Sequence, residues 1–177
     1  MAPLPRLLLL LLLMVLVGGC NSGGGGSGEG GGEAESPGAN DGSPESVGQA
    51  IGDTYVEAMT ELRTMLEPRP AADQLNADIE ALHERYVQIL VPLGAQREAM
   101  DEGDRATVDS TMQRVMWSEA PAEIRNLDWM TEAQSHYRPD DNDLANRIAS
   151  FNTITQYAVY ELLRAQEPAE ATRLGVA

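Results

Sequence analysis

Two pairs of side chains in this chain have the spacing that metal chemistry uses. Glu80-Ala81-Leu82-His83 is a Glu-x-x-His, which sets a carboxylate and an imidazole one helical turn apart on the same side. Glu132 and His136 stand four apart, with the same consequence. Bundles that hold two iron or manganese ions take glutamates from two helices and Glu-x-x-His pairs from two others. Glu57, Glu61 and Glu161 would have to supply the rest, and a second Glu-x-x-His is lacking. If Leu75, Leu82 and Ile89 share one seam position, Glu80 turns toward solvent and His83 flanks the seam. A charged face with a surface histidine is therefore the expectation. Glu80, His83, Glu132 and His136 stay candidate ligands with no metal assigned.

Other chemistries find less. Haem held between methionine and histidine in a four-helix bundle matches only Met59, because the last helical segment has no histidine and no Cys-x-x-Cys-His occurs. The eight methionines read as core filler. Asp140-Asp141-Asn142-Asp143 lacks the alternating ligands, glycine and distal glutamate of a calcium loop, and reads as helix capping. There is no Gly-x-Ser-x-Gly elbow, and two histidines leave few general bases. All twelve basic side chains are arginine, which excludes Schiff-base and phosphate-loop lysines. No catalytic constellation emerges, so neither an enzyme nor a cofactor is predicted. A metal- or haem-binding bundle for electron transfer, storage or sensing is the alternative. The formal net charge of −16 disfavours nucleic acid and anionic lipid surfaces as partners.

The elements that would position these residues are helical nearly throughout. Ser43-Pro44-Glu45 reads as an N-cap with proline at the first helical position. The stripe Val47, Ile51, Tyr55, Ala58, Leu62 and Met65 follows, up to Pro68. Leu75, Ile79, Leu82, Tyr86, Ile89 and Leu93 form a heptad seam, which Pro92 should bend. Glu102-Gly103-Asp104 predicts a stop, a turn and a new N-cap. Val108, Met112 and Val115 lead into Pro121, after which Ile124, Leu127, Met130 and Tyr137 fall out of phase, so a kink or break is expected there. Asp140 is read as capping one long last helix with the stripe Leu144, Ile148, Phe151, Thr155, Ala158, Leu162 and Ala165.

At 1.5 Å per residue the four arms come to roughly 36, 46, 50 and 40 Å. Similar lengths and short turns predict an all-α, up-down-up-down four-helix bundle over residues 44–177, broken or kinked near Pro121. Trp117 and Trp129 each fall two residues past a stripe position, about 200° around the helix. Either those arms are buried on two sides, or the tryptophans form a binding surface for a partner.

The first twenty residues are a separate matter. Arg6 precedes an apolar run from Leu7 to Val17 that spans roughly 16 Å as helix, about half of the ~30 Å hydrocarbon core. That layout predicts an export signal rather than a membrane span. Leu16-Val17-Gly18-Gly19-Cys20 resembles the lipobox of bacterial lipoproteins. The resemblance implies removal of residues 1–19 and lipid, palmitate included, on Cys20, which is the only cysteine. Two or more acyl chains anchor stably where one does not. Asn21, not being aspartate, leans toward the outer membrane or surface over the inner membrane. Residues 20–43 are glycine-rich and predicted to be a disordered tether of roughly 25 Å. The helical domain is similar to small bacterial lipoproteins of no assigned activity. The expectation is an exported, membrane-anchored protein that binds a protein or envelope component.

Overall fold

A computed structural model describes residues 41–177. The predicted signal peptide, the lipidation at Cys20 and nearly all of the predicted tether lie outside the described residues. Among the described residues the chain is helical, without a strand. None of their helices is long and apolar enough to cross a membrane.

Helix α1 (Pro44–Leu66) begins as its sequence predicts. The Ser43 hydroxyl accepts the Ser46 amide at 3.3 Å, and proline fills the first position, where no donor is needed. Val47, Ile51, Tyr55, Ala58 and Leu62 are all buried. Helix α2 (Ala72–Glu98) runs through Pro92, which lies on the exposed side, where water can reach the Gln88 carbonyl that loses its donor. Its predicted seam holds at Leu75, Ile79, Leu82, Tyr86 and Leu93 and misses at Ile89, which is 42% exposed while Val87 and Leu90 are buried. A straight helix drifts about 20° per heptad from a 3.5-residue repeat, so at that one turn Leu90 takes the inward place the seam gave to Ile89.

Helix α3 (Glu102–Arg114) is capped by Asp101, whose carboxylate accepts the Asp104 amide at 2.9 Å. Asp104 is therefore in the first turn and is not the cap. The helix widens into a π-helical turn over Val115–Glu119, closed by the Ala120 amide donating to the Val115 carbonyl at 2.8 Å. Pro121 does break the arm, and two pieces follow, α4 (Ala122–Arg125) and α5 (Asp128–Tyr137).

The predicted long last helix is corrected. Asp141, not Asp140, caps α6 (Asn142–Ser150) by accepting the Leu144 amide at 2.9 Å. A 3-10 segment then runs from Phe151 to Ala158, Val159 leaves helical geometry, and α7 (Tyr160–Gln166) and α8 (Pro168–Arg173) complete the chain. The buried residues explain the change. Ile148, Phe151, Ile154, Tyr157, Tyr160 and Leu163 are buried and recur every three residues, the period of a 3-10 helix. Leu162, placed on the stripe by a 3.6-residue reading, is 47% exposed.

Helix α1 packs chiefly on α3 and α2, α2 also on the 3-10 segment, and α5 on α6. Glycines allow the closest approaches: a Cβ on Gly48 would lie 2.5 Å from the Val108 carbonyl oxygen, and one on Gly52 2.6 Å from the Val115 Cβ. Arg97 is buried and joins three elements. It donates to both carboxylate oxygens of Asp109 at 2.8 and 2.9 Å and to Glu161 at 3.0 Å.

Candidate functional site

The α1–α2 turn meets α5 at a cavity of about 230 Å³ that collects three of the predicted residues, Trp129, Glu132 and His136. Helical spacing places them there, since 129, 132 and 136 lie on one side of α5. The opposite wall is the end of α1, with Arg63, Leu66 and Glu67, and the turn residue Arg69. The Tyr137 hydroxyl donates to the Pro70 carbonyl at 2.9 Å and fastens the turn to α5. Burial pushes the Tyr137 phenol up, so it stays a neutral donor.

Three features of this cavity stand out. Arg69 has a φ of +50°, the only positive φ at a non-glycine residue among those described. Its guanidinium makes no hydrogen bond or ion pair, whereas every other described arginine has a partner. The Trp129 Nε1–H is closed off from solvent and has no acceptor, alone among buried side-chain nitrogens and oxygens of the described residues. Arg63 pairs with Glu67 at 3.7 Å, and Glu132 is exposed without a partner. Spacing does not point to Arg63 or Arg69; the proline on each side of Arg69 is the one local sign of a constrained turn.

The other predicted pair lies elsewhere. Glu80 and His83 line a second cavity of about 220 Å³ with Arg147 and Phe151. Glu80 accepts from Arg147 at 3.3 Å. His83 stands edge-on to Phe151 and Tyr157, with ring centroids 5.6 and 5.3 Å away. Burial lowers its pKa below the ordinary value, against the opposing pull of Glu170 and Glu84. The structure thus does not unite Glu80 and His83 with Glu132 and His136. No group of three or more His, Cys, Asp or Glu side chains is placed to hold a metal among the described residues.

Of the remaining candidates, Glu57 is exposed on α1. Glu61 accepts from Arg85 and, at 2.7 Å, from Tyr86, while Glu161 belongs to Arg97. Met59 is fully buried in the core. Asp141 also accepts from Asn76 of α2 at 2.8 Å, which ties α6 to α2. Trp117, on the π-helical turn, is 48% exposed and rests against Tyr55, with centroids 6.3 Å apart and planes tilted by 52°. Trp129 reaches α1 near Leu66, roughly 16 Å further along that helix at 1.5 Å per residue, so the two tryptophans do not share one patch. Set against known protein families, curated proteins and solved structures, the chain shows no match.

Proposed function

We propose that this chain is an exported lipoprotein, anchored to the outer membrane or cell surface through lipid on Cys20, whose helical domain binds a protein or another envelope component. The observation that carries the anchoring is the run Leu16-Val17-Gly18-Gly19-Cys20 after an apolar stretch too short to span a bilayer. In this reading the helical domain is an up-down-up-down bundle, with α1, α2, α3 with its π-helical turn, and the arm from α6 to α7 as the four legs. The short α1–α2 and α2–α3 connections and the packing of α1 on α2 support it. The exposed Trp117 is the aromatic anchor offered to a partner.

Metabolic labelling with an alkyne analogue of palmitate tests the anchoring. Wild type takes up label and sediments with membranes, and Cys20→Ala does neither. An unlabelled wild type that carries its initiating methionine overturns the reading. For the binding surface, a photo-crosslinking residue at position 117 should give a discrete adduct in the envelope that the same residue at exposed position 113 does not give.

A further inference from the structure

The contact between the α1–α2 turn and α5 is closed against two local penalties, and among the described residues one hydrogen bond spans it. We propose that α5 is a lid: it swings off the end of α1 as a minor conformation, keeping its seat on α6 and uncovering Leu66 and the indole of Trp129. This goes beyond the reading of the chain as an anchored protein and does not depend on it.

The first penalty is at Trp129. Its Nε1–H is closed off from solvent and has no acceptor, so the closed form forfeits the hydration that this donor regains on opening. A short displacement suffices, because the cavity of about 230 Å³ beside the contact is open to water. The second penalty is at Arg69, which is held at φ +50° although a residue before proline is pushed toward extended backbone at negative φ. The Tyr137 hydroxyl, donating to the Pro70 carbonyl at 2.9 Å, holds that turn to α5. Breaking this bond frees Arg69 to return to an ordinary φ.

The chain around α5 permits the swing. Pro121 interrupts the arm before it, Asn126 is extended at φ −85° and ψ 110°, and Pro139 follows its last turn. Its packing is lopsided as well, since α6 carries most of it and α1 little. Asp141 ties α6 to α2 through Asn76 at 2.8 Å, so α6 stays in place while α5 moves. The burial of Leu66 and Tyr137 opposes the swing and keeps the open form minor.

Hydrogen exchange of the indole N–H, followed by NMR on the full-length chain, tests the lid. Trp117, 48% exposed, is the internal reference for an unhindered indole. The Trp129 N–H should exchange roughly 10- to 1,000-fold more slowly than that of Trp117, as a minor state of about 0.1–10% requires. Tyr137→Phe, which removes the bond across the contact, should speed it about fivefold. Arg69→Asn, a residue that accepts the left-handed backbone, should slow it about threefold. Gly48→Ala, remote from the lid, should speed exchange of the core Ile79 amide about tenfold and leave Trp129 unchanged, because the open form keeps α1 on α3. A Trp129 N–H that Gly48→Ala accelerates as much as Ile79 opens only by global unfolding and overturns the proposal. Exchange as fast as that of Trp117, or unaltered by Tyr137→Phe, overturns it as well.

Discussion

Replacing Gly48 by alanine sets two effects against each other, and the structure says which prevails. In a helix interior alanine is favoured over glycine by about 1 kcal/mol. The new Cβ, however, would lie 2.5 Å from the Val108 carbonyl oxygen and 2.8 Å from the Thr111 Cβ. The nearer obstacle is backbone, so no rotamer change relieves it, and α3 must retreat by about 1 Å, which forfeits dispersion along the contact. Overpacking of this kind destabilises by about 1–3 kcal/mol, and an obstruction by backbone belongs at the upper end. Set against the propensity gain, the expected net loss is about 2 kcal/mol, or roughly 6–10 °C in melting temperature for a domain of this size. Urea denaturation followed by far-ultraviolet circular dichroism measures it. Gly103→Ala is the control, because that glycine is exposed in the first turn of α3 and its added Cβ meets only an Asp101 oxygen at 3.4 Å. A Gly48→Ala protein as stable as wild type would refute the close α1–α3 contact.

Three further outcomes follow from the same geometry. Arg97→Ala should lose about 2 kcal/mol in urea denaturation, less than the 3–5 typical of a fully buried pair, because Asp109 and Glu161 remain 36% and 50% exposed and can be rehydrated. Arg97→Lys should recover only part of it, lacking the fork that grips both Asp109 oxygens. His83 should titrate below 6.5 by NMR; its neutral form is favoured in the fold, so its contribution is complete above pH 6.5 and fades as pH falls through the lowered value. A His83 pKa at or above 6.5 contradicts that. Ser43→Ala should cost about 0.5–1 kcal/mol by thermal denaturation, through the lost cap of α1.

The helical class and most core positions were legible in the sequence, because apolar spacing reports which face is covered. Val47 to Leu62 on α1 and Leu75 to Tyr86 on α2 are buried as their stripes predict. The misreadings of the core share one cause, an assumed period. A strict 3.5-residue seam put Ile89 inside in place of Leu90, though Leu93 beyond it is buried as predicted, and a 3.6-residue stripe put Leu162 inside in place of Leu163. The three-residue recurrence from Ile148 to Leu163 was present all along. The cavity was half legible. Trp129, Glu132 and His136 share a helix face by local spacing, whereas Arg63 and Arg69 arrive from the first helix and the turn after it. A one-dimensional pattern carries no mark of which turn will dock on which helix, nor of Gly48 and Gly52 facing α3.

The tight winding from Phe151 to Ala158 limits how this stretch can change in length. With three residues per turn, its inward side chains lie in a straight row. Losing or gaining one residue swings everything beyond it by a third of a revolution, which would pull Tyr157 and Leu163 out of their seats. Removing three keeps the row in line and shortens it by about 6 Å. Length variants that still fold should therefore differ here by triplets, where an ordinary α-helix would tolerate steps of three or four.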